Sequence, residues 1–186
     1  MVSWEDPLNF EERKRDHIRL ALSEENQARG CSGLESVSLI HESLPELDFN
    51  EIKIDTSSLG HVFKSPFFIS SMTAGHPEGV QLNSLLARIS AEKGWIMGVG
   101  SQRRQLMDRE MDQEWSLIRK QAPGLMLLGN LGLSQIRDLP VDRIQRMVES
   151  TQALGMIIHT NPLQECLQRE GTPHFRGGLA ALERVC

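Results

Sequence analysis

The sequence is poor in cysteine, and its few cysteines exclude a disulfide framework. Cys31, Cys166 and Cys186 are widely separated, odd in number, and show neither C-x-x-C spacing nor the spacing of zinc ligands with histidines. Small secreted domains instead pair an even number of closely spaced cysteines. We therefore expect free thiols in a reducing compartment.

Long apolar runs and an excess of basic residues are also absent. No run approaches the roughly 18 apolar residues of a membrane span, and the charged N-terminus lacks the apolar stretch of a signal peptide. The net charge of −5 argues against general binding of nucleic acids. With 39% hydrophobic and 24% charged residues and no low-complexity tract, we expect a soluble cytoplasmic globular protein.

The first third of the chain has weak and mixed signals. Apolar residues with helical spacing predict a short helix within residues 10–22. Alternating or β-branched residues predict short strands at 36–41 and 51–55, separated by Pro45 and polar residues. We expect residues 1–64 to form a segment that caps the rest of the chain.

Residues 65–186 repeat one pattern, in which an apolar strand is followed by a polar cluster and an amphipathic helix. Strands are predicted at 67–70, 95–99, 125–128 and 156–159, and helices at 78–92, 109–120 and 141–152. The strands are followed, at intervals of about thirty positions, by Ser71, Ser101, Asn130 and Asn161. This period is typical of the βα units of an eight-stranded barrel, but a doubly wound open sheet has the same alternation.

Small and cationic side chains follow the first two predicted strands. Ser71, Met72 and Thr73 form a small, hydroxyl-rich loop that a flat ligand or a phosphate could approach closely. After the second strand come Ser101, Gln102 and Arg103, and the guanidinium matches phosphate oxygens. The G-x-G-x-x-G fingerprint of dinucleotide binding is absent. In the alternative interpretation, the first segment is an ordinary strand-to-helix loop and the second carries two solvated arginines at the start of a helix.

The last predicted strand is followed by the richest polar cluster. His159 and Asn161 project from one face of a strand because side chains alternate, and Pro162 then exposes Gln164 and Glu165. A carboxylate of this kind holds magnesium together with substrate phosphates. The carboxamide of Asn130, one strand earlier, could both donate to and accept from the edge of a flavin or a nucleobase. A buried structural histidine and a turn asparagine are the alternatives.

A cationic group lies outside the repeated pattern. On a helix, Arg13 and His17 share a face, and Lys14 lies beside them. The group could bind a diphosphate, or it could be only a solvated charged face.

Together these segments resemble the first half of the type 2 isopentenyl diphosphate isomerases, over essentially all of this chain. The pieces that carry the resemblance are RKRDHIRLAL at 13–22, PFFISSMTAG at 66–75, GVGSQRRQL at 98–106, GNLG at 129–132 and HTNPLQE at 159–165. Each piece is weak evidence alone. The SQR and NPLQE elements in this order make the match specific.

The resemblance implies an α/β fold of the (β/α)8 TIM-barrel type, here with about its first four βα units and a capping segment. It also implies FMN, Mg2+ and NADPH as cofactors, a homo-oligomer when full length, and interconversion of isopentenyl and dimethylallyl diphosphate in isoprenoid biosynthesis. By resemblance, the residues that contact FMN would be Ser71, Met72, Thr73, Ser101 and Asn130. Those that contact the substrate would be Arg13, Lys14, His17, Ser101, Gln102, Arg103, Asn161 and Gln164. The catalytic residues would be His159 and Gln164, and the metal ligand would be Glu165.

Two other interpretations remain open from the sequence. The first is another FMN-binding barrel enzyme, of the 2-hydroxy acid oxidase type. The second is a non-catalytic, truncated form of the isomerase, because the family continues beyond the point where this sequence stops at Cys186. We expect the isolated chain to have weak activity or none.

Overall fold

The computed structural model describes residues 15–16, 18–30, 32–72, 77–107, 111–168 and 171–186. The predicted site residues Arg13, Lys14, His17 and Thr73 lie outside this part of the chain. Arg15, Asp16 and residues 18–22 are helical, within the helix that the sequence predicts. In the described part of the chain, no helix combines the length and the apolar character that crossing a membrane requires. A cytoplasmic location stays a prediction.

The segment before the main sheet contains only short, local elements. Three 3-10 turns occupy Glu24–Asn26, Leu34–Ser36 and Phe49–Glu51. They are followed by an antiparallel hairpin of β1 (Thr56–Ser58) and β2 (His61–Phe63).

The turn of this hairpin consists of Leu59 and Gly60, both with positive φ, as a tight two-residue hairpin turn requires. The strands predicted at 36–41 and 51–55 are wrong. Those residues have no strand partner, and without a ladder β-branched side chains alone do not make a strand.

A four-stranded parallel sheet forms the centre of the molecule. Its strands, in spatial order, are β3 (Phe68–Ile69), β4 (Ile96–Gly98), β5 (Met126–Gly132) and β6 (Gly155–His159). Sequential neighbours pair in register, with Ile96 opposite Met126 and Gly132 opposite His159. All four strands overlap the predicted ones. β5 extends beyond its predicted end at residue 128, so Asn130, which was predicted to follow the strand, lies within it. Parallel neighbours need crossover connections, which here contain helices.

Six described helices accompany the strands. The long ones are α1 (Pro77–Lys93), α2 (Met111–Gln121) and α4 (Val141–Thr151), which agree with the three predicted helices. The short ones are α3 (Leu133–Asp138), α5 (Pro162–Leu167) and α6 (Gly178–Val185). A further 3-10 turn at Gln102–Leu106 follows β4.

The prediction of a TIM-barrel fold is wrong. The structure is a small α/β domain whose four parallel strands form an open sheet, with β3 and β6 as its two edges in the described part of the chain. A barrel requires a sheet that closes on itself, and a repeat of strand and helix does not encode closure. The proposed division of the chain at residues 64 and 65 stays a prediction.

Two apolar clusters lie against the sheet. One lies among β4, β5, α1 and α2, and the other among β5, α3, α4 and α6. The first contains Ala87, Met97, Val99, Trp115, Ile118, Ala122, Leu125 and Leu127, and the second Leu106, Leu131, Ile136, Leu139, Ile144, Met147 and Ala181. Burying a large apolar side chain contributes about 1.5–3 kcal/mol, so these clusters stabilise the sheet and hold its strand ends in place.

Candidate functional site

A cavity of about 470 Å³ opens at the carboxyl ends of the four parallel strands. Loops after neighbouring parallel strands meet at one edge of a sheet, which is where ligands of such folds bind. The cavity is lined by Phe68, Ser70, Ser71, Met72, Gly100, Ser101, Arg103, Asn130, Ile157, His159, Asn161, Gln164, Glu165 and Gln168. Its lining therefore mixes apolar side chains with hydroxyl, amide, imidazole, guanidinium and carboxylate groups.

Two serine hydroxyls in this lining have no hydrogen-bond partner. The Oγ atoms of Ser71 and Ser101 are buried, and neither finds a protein donor or acceptor. Leaving a buried polar group unsatisfied costs about 1–3 kcal/mol. Both hydroxyls belong to cavity residues, so a ligand with polar edges could satisfy them.

Gly98 keeps the floor of the cavity open to side chains from two other strands. A Cβ at this position would collide with Ser71 Oγ and would lie 2.9 Å from the ring of Phe68 and 3.3 Å from Ile157. Any larger residue would displace these lining groups, because backbone and side chains are already in contact there. The glycine thus allows β3 and β6 to contribute side chains to one cavity.

Asn130 and His159 form a polar pair on the neighbouring strands β5 and β6. The Oδ1 of Asn130 lies 2.7 Å from Nδ1 of His159. A carboxamide oxygen only accepts hydrogen bonds, so this contact assigns the proton to Nδ1 of the imidazole. Nε2 of His159 lies toward Gly132, where a Cβ would come within 3.0 Å of it. The contact with Asn130 therefore orients the ring and places a proton on Nδ1.

Glu165 is buried and surrounded by donors. Its Oε1 lies 3.6 Å from Nη2 of Arg103 and accepts from Asn161 Nδ2 at 3.3 Å. Its Oε2 accepts from the backbone N–H of Thr172 at 2.6 Å. Both charged side chains are only 6% exposed. The carboxylate is thus neutralised by a cation and hydrogen bonds, which a buried charge requires.

Gln164 lies at the exposed mouth of the cavity, on α5. Its Oε1 accepts from Nδ2 of Asn161 at 3.1 Å. Pro162 starts the helix at a position where its missing N–H costs nothing, and α5 then presents Gln164 and Glu165 on successive positions. The single amide of Asn161 therefore contacts both of these side chains.

All but one of the described site residues predicted from the sequence line this single cavity. The exception is Gln102, which is 2% exposed and is not part of the lining. Its Oε1 accepts from the backbone N–H of Asn130 at 2.8 Å. Its role as a substrate contact stays a prediction, but its carboxamide oxygen is already used inside the protein.

The structure adds lining residues that the sequence patterns did not indicate. They are Phe68, Ser70, Gly100, Ile157 and Gln168. Strand alternation could have found Ile157, which lies two positions before His159 on the same face of β6. Nothing in the sequence marks Gln168, which follows the last residue of α5.

The described part of the chain contains no complete, preformed metal cage. Among the residues that the structure describes, no group of three or more histidine, cysteine, aspartate or glutamate side chains could hold a metal ion. Within the cavity, Glu165 supplies the one carboxylate of the described lining. Magnesium is commonly held by one or two carboxylates together with substrate phosphates, so this residue fits only that partial mode of binding.

Comparison with known proteins gives a consistent set of relatives. The chain is 50% identical to an isopentenyl-diphosphate delta-isomerase of Bdellovibrio bacteriovorus, over 97% of this chain and 53% of that protein. Proteins of the same name from Legionella pneumophila (strain Paris) and Archaeoglobus fulgidus are 47% and 38% identical, over 95% and 96% of this chain and 52% of each relative. No protein-family model matches the chain.

The chain thus spans about half the length of the curated relatives that it matches. Over almost all of its own length, it is similar to proteins named isopentenyl-diphosphate delta-isomerase, from bacteria and archaea.

Proposed function

We propose that the chain belongs to the flavin-dependent, type 2 isopentenyl-diphosphate delta-isomerases and that its cavity binds FMN beside the diphosphate substrate. The observation that carries this proposal is the convergence of the predicted site residues on one cavity, in which two buried hydroxyls have no partner. The names of the similar proteins support the same reaction. The product would be dimethylallyl diphosphate, a precursor in isoprenoid biosynthesis.

The size of the cavity and the mixed chemistry of its lining support a small aromatic cofactor such as FMN as its ligand. Ligand sites commonly have volumes of about 300–1,000 Å³ and a few convergent polar groups in an apolar wall. Ser71, Ser101 and Asn130 would contact polar edges of the flavin, and Met72 would contact its apolar surface. We also assign Thr73 to this site, on its position in the sequence.

Arg103 would bind the phosphate oxygens of a magnesium diphosphate, and Glu165 would bind its magnesium ion. A guanidinium matches phosphate oxygens in geometry and charge, and a carboxylate is a typical magnesium ligand. Arg13, Lys14 and His17 would add cationic contacts to the diphosphate, and Asn161 would add a further polar contact. Anchoring the charged end in this way uses binding energy to orient the apolar end of the substrate.

The chain's own residues would position the substrate and hold protons at defined atoms. His159 holds a proton on Nδ1 against Asn130, and Gln164 presents its carboxamide at the mouth of the cavity. When bound and reduced by NADPH, FMN would supply the acid–base chemistry that shifts the double bond. We assign Gln164 and His159 as the catalytic residues of the protein.

The test measures FMN affinity and stability in the same serine variants. Removing an unsatisfied buried hydroxyl should not destabilise the free chain, whereas losing a contact to FMN should weaken binding by about tenfold. We therefore expect Ser71→Ala and Ser101→Ala to keep or raise Tm and to raise the Kd for FMN, measured by quenching of flavin fluorescence. Ser57→Ala, in the exposed hairpin, is the control.

A second pair of variants tests the location of the flavin. Gly98→Ala would obstruct the cavity floor and should abolish FMN binding, while Gly124→Ala, which has nothing within 4 Å of the added Cβ, should not. Circular dichroism shows whether both variants are folded. Unchanged FMN affinity in folded Gly98→Ala and in both serine variants would refute the proposed flavin site.

Turnover is measured with isopentenyl diphosphate, FMN, NADPH and Mg2+. We expect weak activity from the 186-residue chain, because it spans about half the length of its relatives. Any activity should disappear on chelation of magnesium and in Glu165→Ala. FMN binding with no detectable turnover at any protein concentration would show that this chain is a flavin-binding but non-catalytic unit.

A further inference from the structure

A continuous chain of hydrogen bonds links Asn130 of the cavity to Asp112 of α2. The backbone N–H of Asn130 donates to Oε1 of Gln102 at 2.8 Å, and Nε2 of Gln102 donates to Oε1 of Gln105 at 2.7 Å. Nε2 of Gln105 then donates to Oδ1 of Asp112. Ser150 of α4 donates to the same carboxylate oxygen at 3.3 Å. Four segments of the fold therefore meet in this relay.

The two ends of the relay determine the orientation of both glutamine amides. At one end, the backbone N–H of Asn130 can only donate. At the other end, the ionised carboxylate of Asp112 can only accept. With two carboxamides between a donor and an acceptor, one arrangement satisfies every link, and it is the arrangement observed.

The side chain of Gln102 replaces a hydrogen-bond acceptor that β4 would supply if it were longer. β4 ends at Gly98, which pairs with Leu128 of β5. The N–H of Asn130 on β5 therefore lies beyond the last residue that β4 pairs with β5. The side-chain oxygen of Gln102 takes the place of a strand carbonyl. Gly129 leaves room for it, because a Cβ there would lie 2.7 Å from that oxygen.

We propose that Asp112 is a positioning residue for the cavity, acting through Gln105 and Gln102 on Asn130. By fixing the two amides, the carboxylate holds the backbone of Asn130 in place. The side chain of Asn130 in turn lines the cavity and contacts Nδ1 of His159 at 2.7 Å. That Asp112 positions Asn130 is inferred from these contacts alone. The effect of Asp112 on ligand binding rests also on the proposed FMN site.

The decisive test uses two isosteric substitutions to reverse the direction of the two hydrogen bonds that join residues 102, 105 and 112. Gln102→Glu still accepts from Asn130, but its second oxygen would face Oε1 of Gln105. If Gln105 turns over to donate, its oxygen then faces the carboxylate of Asp112. Adding Asp112→Asn supplies a donor at that point, so every link is again satisfied, with the two links beyond residue 102 reversed and the link from Asn130 unchanged.

Hydrogen exchange at the N–H of Asn130 reports the state of the relay without any ligand. We expect exchange about tenfold faster in Gln102→Glu and a return to within about threefold of the unsubstituted chain in the double variant. Asp112→Asn alone should have a smaller effect than Gln102→Glu, because its Oδ1 can still accept from Gln105. Additive effects of the two substitutions, with no rescue, would overturn the proposal.

A milder variant keeps the test decisive if Gln102→Glu does not fold. Gln105→Met removes both of its links at a half-buried position, and Gln121→Met removes a comparable side chain at an exposed position of α2. We expect faster exchange at Asn130 in Gln105→Met alone. Equal exchange rates at Asn130 in the two methionine variants would contradict the relay.

Titration with FMN separates this proposal from the proposed function. If the unsubstituted chain binds FMN, we expect Gln102→Glu to weaken binding several-fold and the double variant to recover it. Rescue of exchange without any change in FMN affinity would overturn the link to ligand binding. If the unsubstituted chain does not bind FMN, the proposed function fails, and the exchange measurements alone decide whether Asp112 positions Asn130.

Discussion

Apolar side chains are exposed in residues 32–62, whereas in the sheet region after them many are buried. In the first region every residue except Thr56 is exposed, and Leu39 and Ile40 are 94% and 96% exposed. In the second, Leu127 and Leu131 of β5 are completely buried. The two regions have similar apolar residues, so composition does not explain the difference.

The difference lies in the range of the interactions. The first region is held by local contacts, such as the pairing of Glu51 with the backbone of Asp48 at 3.0 Å and the hairpin of β1 and β2. The sheet region joins strands about thirty residues apart and buries side chains between layers. Local hydrogen bonds can define a conformation without burial, whereas a core requires distant segments.

The largest effect that this comparison predicts is at the buried ion pair of the sheet region. Arg103→Met would leave the carboxylate of Glu165 without its cation at a site where both side chains are 6% exposed. Removing one partner of a buried pair costs about 3–5 kcal/mol. We expect that loss in the free energy of unfolding measured with urea.

The double variant Arg103→Met with Glu165→Gln is the control. It removes the uncompensated charge and should recover much of the stability. A loss below about 1 kcal/mol in Arg103→Met would show that the pair behaves as a solvated one.

The comparison is tested directly by the same substitution in each region. Leu127→Ala should reduce stability by about 2–5 kcal/mol, because it removes a completely buried side chain from the core. Leu39→Ala, at a 94% exposed position, should change stability by less than about 0.5 kcal/mol. Urea denaturation of both variants measures the difference. A similar loss in both would mean that Leu39 is buried in solution and that the contrast between the regions is wrong.

The sequence predicted the strands and helices of the sheet region because their patterns are strong and repeated. Apolar runs punctuated by residues such as Gly94, Pro123 and Gly155 mark the units, and the structure has all four strands. The prediction that these strands close into a barrel was wrong. Closure depends on strand tilt and pairing partners, which the spacing of the repeat does not specify. In the first region the signals were weak, and the predicted strands did not form.

The cavity could be predicted from the same repeat. Ser71, Ser101 and Asn161 follow strands, and Asn130 lies near the carboxyl end of β5. Parallel strands bring such positions to one edge of the sheet. The orientation of Gln102 could not be predicted, because a glutamine in a loop can face a cavity or replace a missing strand carbonyl. The pairing of Arg103 with Glu165 could not be predicted either, since it depends on how the 3-10 turn at Gln102–Leu106 and α5 approach each other.

The smallest expected effect concerns Glu114 of α2, again in the sheet region. Burial raises the pKa of this carboxyl, although Asn83, which donates to it at 3.5 Å, and the charge of Arg104 both lower it. A raised folded-state pKa means that the folded chain binds the proton more tightly. The resulting stabilisation is present at low pH and is lost as the pH rises through the folded-state pKa. At neutral pH, the buried charge is therefore a small cost.

Glu114→Gln should remove that cost. We expect the variant to be more stable than the unsubstituted chain at pH 7, by up to about 0.5 kcal/mol, with no gain at pH 4 and below. Glu149→Gln, at an exposed position of α4, is the matched control for the substitution itself. Thermal unfolding at the two pH values measures both variants. A gain for Glu114→Gln at pH 4 that equals its gain at pH 7 would mean that the effect comes from packing, because only an ionised carboxylate is penalised by burial.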